Sequence, residues 1–162
     1  MKAILFVCIG NCHRSPIAEA VANRVLAEHG LSRTVIAISR GTSVRHPGGL
    51  SSRFGDWCAA RPTLEKLGIR EEILAHRSRQ LEDDDLRRAS AVVAMDLGVW
   101  RGIVRGAVAP SGRVRCFTEL NGEEPGSVPD PIGGDEEDFR ATYVAIDRSV
   151  RTRLNLLLSW AS

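Results

Sequence analysis

Lysine is almost missing from this chain of 162 residues: two lysines stand against 20 arginines. The bias leaves a net charge of only +2, so bulk electrostatics give no footing for nucleic-acid binding. The arginines are scattered through helical stretches, where they read as solvated faces. Long apolar runs are missing too. No segment approaches the ~18 apolar residues of a membrane span. The stretch Ala3-Ile4-Leu5-Phe6-Val7 behind Lys2 is too short for the apolar part of a signal peptide. A cytoplasmic location without membrane attachment is therefore expected. The four cysteines, at positions 8, 12, 58 and 116, form neither a disulfide framework nor a zinc pattern. What remains, 43% apolar and 26% charged, is ordinary for one folded domain over residues 1–162 with a substantial core.

Repeats, low-complexity tracts and interdomain linkers are also absent. Apolar, β-branched runs at Ala3 to Val7, Thr34 to Ser39, Ala91 to Met95 and Val114 to Phe117 predict strands. Helical periodicity falls between and after them: Pro16 to His29, about Arg53 to Leu67, about Asp83 to Ala89, Gly98 to Val104, and a long run from about Asp135 to Ser159. Strands alternating with helices predict an α/β fold with a four-stranded parallel sheet covered on both faces. In open sheets of this kind, ligands sit beyond the carboxyl ends of the strands. The Gly/Pro-rich stretches Arg40 to Ser52 and Asn121 to Gly134 are expected to border that mouth.

The chemistry concentrates in Val7-Cys8-Ile9-Gly10-Asn11-Cys12-His13-Arg14-Ser15-Pro16. A strand, a tight loop and a helix N-terminus in succession make an anion cradle, because loop amides and unpaired first-turn N–H groups point at one spot. A cysteine entering such a cradle is favoured as thiolate. An arginine leaving it can grip two oxygens of a tetrahedral anion through its planar fork. Five residues between a cysteine and an arginine arise easily by chance in so arginine-rich a chain. The position between a strand run and a helix opened by Ser15 (suited to an N-cap) and Pro16 (suited to the first turn) gives the pair its weight. The competing reading is a plain strand-to-helix turn with a buried cysteine.

With these residues in view, the chain resembles the low-molecular-weight protein tyrosine phosphatases over nearly its whole length. That family's loop, Cys-x-Gly-Asn-x-x-Arg-Ser-Pro, is matched by Cys8, Gly10, Asn11, Arg14, Ser15 and Pro16. Its late Asp-Pro loop is matched by Pro129-Asp130-Pro131, and Ser39-Arg40-Gly41-Thr42, His76 to Leu81 and Ala94-Met95-Asp96 follow family segments in order. The resemblance implies a flavodoxin-like three-layer sandwich and a phosphate-monoester hydrolase with a phosphocysteine intermediate, with neither metal nor cofactor. It implies Cys8 as nucleophile, Arg14 as phosphate clamp and Asp130 as general acid and base, acting on a phosphorylated protein. Without Cys8 and Arg14, Asp130 would read as a turn aspartate before proline.

The phosphate loop and its support would then comprise Ile9, Gly10, Asn11, Cys12, His13, Ser15 and His76. Asn11 suits a positive-φ position. Ser15 could donate to the Cys8 sulfur or serve only as an N-cap. His76 resembles the family histidine that supports the asparagine, against the reading of a lone surface histidine. Asp96 is explained by helix capping alone, and Cys58 and Cys116 as small apolar residues. The acidic runs Glu82 to Asp85 and Asp135 to Asp138 suit helix starts.

Departures from the pattern bear on specificity. Family loops commonly carry a branched aliphatic residue where Cys12 stands and a second cysteine where His13 stands. In relatives that second thiol protects the nucleophile by a reversible disulfide, a role that here would fall to Cys12. His13 either adds charge near the pocket or points to solvent. The slot positions that are aromatic in many tyrosine phosphatases are Arg45 and Ile132 here, which weakens stacking on a phosphotyrosyl ring. A sister branch that dephosphorylates arginine also carries a residue smaller than isoleucine at the Cys12 position, so protein-arginine phosphatase is the alternative activity. A third branch reduces arsenate through cysteines after the third helix; the gap between Cys58 and Cys116 argues against that. A non-catalytic anion-binding or redox-sensing protein is the rival from another class, and an intact Asp130 argues against it. In some bacterial relatives a tyrosine kinase is the partner, which makes one a candidate here. A monomer or weak dimer is expected.

Overall fold

In the computed structural model, which describes residues 1–45 and 54–162, four strands and seven helices are laid out in the order β1 (Lys2–Cys8), α1 (Arg14–Glu28), β2 (Val35–Gly41), α2 (Phe54–Leu67), α3 (Arg70–Ala75), α4 (Asp83–Arg88), β3 (Ala91–Ala94), α5 (Leu97–Gly106), β4 (Val114–Cys116), α6 (Glu136–Thr152) and α7 (Leu154–Trp160). The strands form one parallel sheet in the order β2-β1-β3-β4. The chain leaves β1 for one side of the sheet and returns on the other at β3, so the topological switch lies between β1 and β3, at the end of β1 that carries Cys8.

Side chains alternate across β1. Ile4, Phe6 and Cys8 join a core with α1, α2, α6 and α7, while Leu5 and Val7 join Leu86 of α4 and Val99 and Ile103 of α5. With both faces covered, β1 and β3 are apolar without a polar alternation, as parallel central strands must be. The predicted α/β sandwich with helices on both faces is the observed architecture.

Three boundaries differ from the sequence reading. Helix α1 starts at Arg14, with His13 in the N-cap position and no side-chain cap. Ser15 is therefore not the cap, and Pro16 falls at the third helical position, where no intrahelical N–H is lost. The long C-terminal run is two helices, broken at Arg153. Ser149 and Thr152 turn their hydroxyls back onto the carbonyls of Ala145 and Arg148 at 2.9 and 2.8 Å, a bonding pattern that bends helices. Helix α3, six residues long, was too short for a period to show. Much of the mouth segment expected at Arg40 to Ser52, together with Arg53, lies outside the described residues.

Candidate active site

Strand β1 delivers Cys8 to the carboxyl end of the sheet, 3% exposed. Its sulfur accepts the Asn11 backbone N–H at 3.2 Å and the Ser15 hydroxyl at 3.0 Å. Both donors point at the sulfur from the loop and the first turn of α1. The loop between Cys8 and Arg14 closes because Asn11 takes φ 53°, a conformation that costs an asparagine little.

Asn11 is then held on every side. Its amide nitrogen donates to the hydroxyls of Ser15 (3.0 Å) and Ser39 (2.9 Å), and its amide oxygen accepts the Arg79 N–H (2.9 Å). Its carbonyl accepts from His76 Nε2 at 3.0 Å and from the Ser78 hydroxyl at 2.9 Å. His76 is therefore not a lone surface histidine; it supports the loop, and burial pushes it below the ordinary histidine range. Ser39 in turn donates to Glu19, whose carboxyl is pushed up by burial against the pull of that hydrogen bond.

Strand β2 braces the loop from the side. Thr42 and Ser43 donate their N–H groups to the carbonyls of Cys8 and Ile9, at 3.0 and 2.8 Å. Gly41 permits this approach: a Cβ there would lie 2.6 Å from the Ile9 carbonyl oxygen and 2.9 Å from the Asn11 nitrogen.

Arg14, 3% exposed, crosses the sheet end. One guanidinium nitrogen donates to the Val128 carbonyl at 3.0 Å and to Asp96 at 3.3 Å, the other to Asp130 at 2.7 Å. The loop bearing Asp130 is anchored to the end of β3, where Val128 donates to the Met95 carbonyl at 2.9 Å. Its turn is closed by the Ile132 N–H on Asp130 Oδ1 at 3.2 Å. The fold thus brings Cys8, Arg14 and Asp130, from opposite ends of the chain, to one place.

Other expected residues fall as follows. Ile9 is 45% and Ile132 46% exposed at the mouth. Arg45 is also exposed, at the border of the undescribed residues. The Gly10 carbonyl accepts from the Cys12 thiol at 3.3 Å, and no disulfide joins any of the four cysteines. Cys116 is buried, and burial with Glu119 nearby pushes its thiol up to about 11. Cys58 is exposed on α2 rather than packed.

His13 corrects the sequence reading. It neither faces solvent nor adds charge. It is 2% exposed, bonded to Tyr143 and Asp56, and held below the ordinary histidine range by burial. Asp96 does cap α5, accepting from Gly98 N–H at 2.8 Å, but it also holds Arg14, which capping alone did not reveal. Asp56 and Tyr143 were missed altogether. The available signal was the chain's single tyrosine on the buried stripe of a helix, whose hydroxyl must find a partner.

The family model for low molecular weight phosphotyrosine protein phosphatase matches residues 3–158. A low molecular weight protein-tyrosine-phosphatase of Streptomyces coelicolor is 34% identical over 144 residues, covering 84% of this chain and 81% of its own. The crystal structure of the T. tengcongensis low molecular weight protein tyrosine phosphatase superposes with TM-score 0.82 at 28% identity, covering 96% of this chain and 99% of the other. The YwlE arginine phosphatase of Geobacillus stearothermophilus superposes with TM-score 0.77, also at 28% identity, covering 98% and 95%. With a family model matched over residues 3–158, nearly all its length, the chain belongs to the low molecular weight phosphotyrosine protein phosphatase family.

Proposed function

We propose that this protein hydrolyses phosphotyrosine in protein substrates through a phosphocysteine intermediate. The observation that carries the reading is the Cys8 sulfur, held by two hydrogen-bond donors at the floor of a loop whose far end, Arg14, is joined directly to Asp130. A substrate phosphate takes over the Arg14 guanidinium, and Asp130, protonated, is left facing the bridging oxygen. The Cys8 thiolate attacks phosphorus in line as the bond to that oxygen breaks; Asp130 gives the leaving group its proton. Asp130 then takes a proton from water as the water oxygen bonds to phosphorus and the S–P bond breaks, releasing inorganic phosphate and the thiolate. Loop amides and Arg14 stabilise the equatorial oxygens throughout.

A second reading has its own support. Among the described residues at the mouth, Ile9, Thr42, Arg45 and Ile132 supply no aromatic wall, and a phosphoarginine needs none. Turnover of an aryl phosphate should be lost in Cys8→Ser and lowered about 10²–10⁴-fold in Asp130→Ala. Equal rates for wild type and Cys8→Ser would remove the assignment. Phosphotyrosine and phosphoarginine peptides at matched concentration then decide between the two substrates.

A further inference from the structure

The ring of His13 sits in the interior among Trp57 of α2 and Phe139 and Tyr143 of α6, with ring centroids 5.0, 5.2 and 6.4 Å away. Both ring nitrogens have partners. Nε2 lies 3.3 Å from Asp56 Oδ2 and Nδ1 lies 2.9 Å from the Tyr143 hydroxyl. A carboxylate can only accept, so Nε2 carries the proton and Nδ1 accepts from tyrosine. That is a neutral imidazole with one donor and one acceptor, both matched. A second proton, on Nδ1, would force the tyrosine proton away from its partner.

Burial resists such charging. Asp56 and, more weakly, Asp130 pull His13 toward the charged form and Arg14 pushes against it, yet the balance lies on the neutral side. The other Asp56 oxygen accepts the Gly133 N–H at 3.1 Å, three residues beyond Asp130. A hydrogen-bonded line therefore runs from the residue before Arg14 to the loop that carries the acid. It lies behind the site, while Arg14 itself makes the frontal link to Val128 and Asp130.

We propose that His13, as a neutral Nε2–H imidazole, is a positioning residue for the general acid: it fixes the Asp56 carboxylate, which through Gly133 sets Asp130 over the phosphate loop. The inference rests on Asp130 being the acid, as argued above. A mispositioned acid hurts most where the leaving group most needs a proton. A residue that serves only packing lowers all substrates alike.

The test is kcat/KM at pH 7.5 for aryl phosphates whose leaving phenols run from strongly acidic to tyrosine-like, in wild type, Asp130→Ala, His13→Leu, His13→Gln and Asp56→Asn. His13→Leu should lose about tenfold with phenyl phosphate and less than about threefold with the most acidic phenol, a steepening in the direction of Asp130→Ala. His13→Gln, whose side-chain N–H can donate to Asp56, should recover most of the loss. Asp56→Asn keeps the shape but has a single acceptor oxygen, so it cannot hold both the His13 Nε2–H and the Gly133 N–H, and it should show the same steepening; this isosteric variant carries the test even if His13→Leu does not fold. Parallel losses across the series in His13→Leu, or a wild-type slope in Asp56→Asn, overturn the inference while leaving the acid assignment standing. No steepening in Asp130→Ala overturns both.

Discussion

Asn11 shows how much of the site hangs on one side chain. It adopts a positive φ and is itself fully buried; its side-chain amide engages Ser15, Ser39 and the Arg79 N–H, and its backbone carbonyl engages His76 and Ser78. Asn11→Ala removes the side-chain bonds to Ser15, Ser39 and the Arg79 N–H and strains the backbone, so it should cost on the order of 2–3 kcal/mol, read as a fall in the urea midpoint, together with loss of turnover. Asp96 separates two duties. Asparagine caps a helix as well as aspartate does but lacks the charge that faces Arg14. Asp96→Asn should therefore keep stability within about 0.5 kcal/mol of wild type while raising KM several-fold. Asp96→Ala should lose both, by about 1 kcal/mol in stability, and thermal melts beside steady-state kinetics check the pair.

At the scale of elements, α5 carries a glycine in mid-helix, Gly102, where the fold does not ask for one. An added Cβ at Gly102 meets nothing within 4 Å, so Gly102→Ala should stabilise by roughly 0.5–1 kcal/mol, visible as a higher melting temperature with unchanged kcat/KM. Gly41 is the opposite case. Its Cβ would strike the phosphate loop backbone, and Gly41→Ala should lower activity because the Cys8 loop must move aside. Helix α6 begins with a reciprocal cap, Asp135 accepting from the Glu137 and Asp138 N–H groups and Asp138 from the Asp135 N–H. The acidic run there reads correctly as a helix start. The strands were equally legible, because a parallel sheet covered on both faces needs unbroken apolar runs. The break at Arg153 was not, since hydroxyls bonding back to carbonyls leave the hydrophobic period unchanged.

For the molecule as a whole, six of the described arginines pair with acids one helical turn away, Arg61–Glu65, Arg88–Asp84 and Arg151–Asp147 among them. Exposed pairs of this kind contribute little each. Acid sensitivity lies instead with buried histidines. His13 and His76 are both held below the ordinary histidine range, burial being the largest cause. Below about pH 6.5 the unfolded chain binds protons on these rings and the folded chain does not, so stability should fall as pH drops from 7.5 toward 5.5. Glu19, pushed up by burial, acts in the opposite sense: its contribution is present at low pH and lost as pH rises through its folded value. Urea midpoints across that pH range, for wild type and His13→Gln, isolate the histidine part. The variant should show the shallower fall.

The sequence by itself determined the order of strands and helices, the strand-loop-helix that holds Cys8 and Arg14, and the place of Asp130 before the last helices. Periodicity, turn residues and local spacing are properties of neighbours along the chain, and these features are all local. The tertiary structure alone decided that His13 turns inward, that Asp56 reaches Gly133, and that Asp96, legible in the sequence as a cap, also holds Arg14. Those contacts join positions 40 or more residues apart. Each depends on which polar atom is left without water once the helices pack against the sheet, and no local pattern in a sequence encodes that.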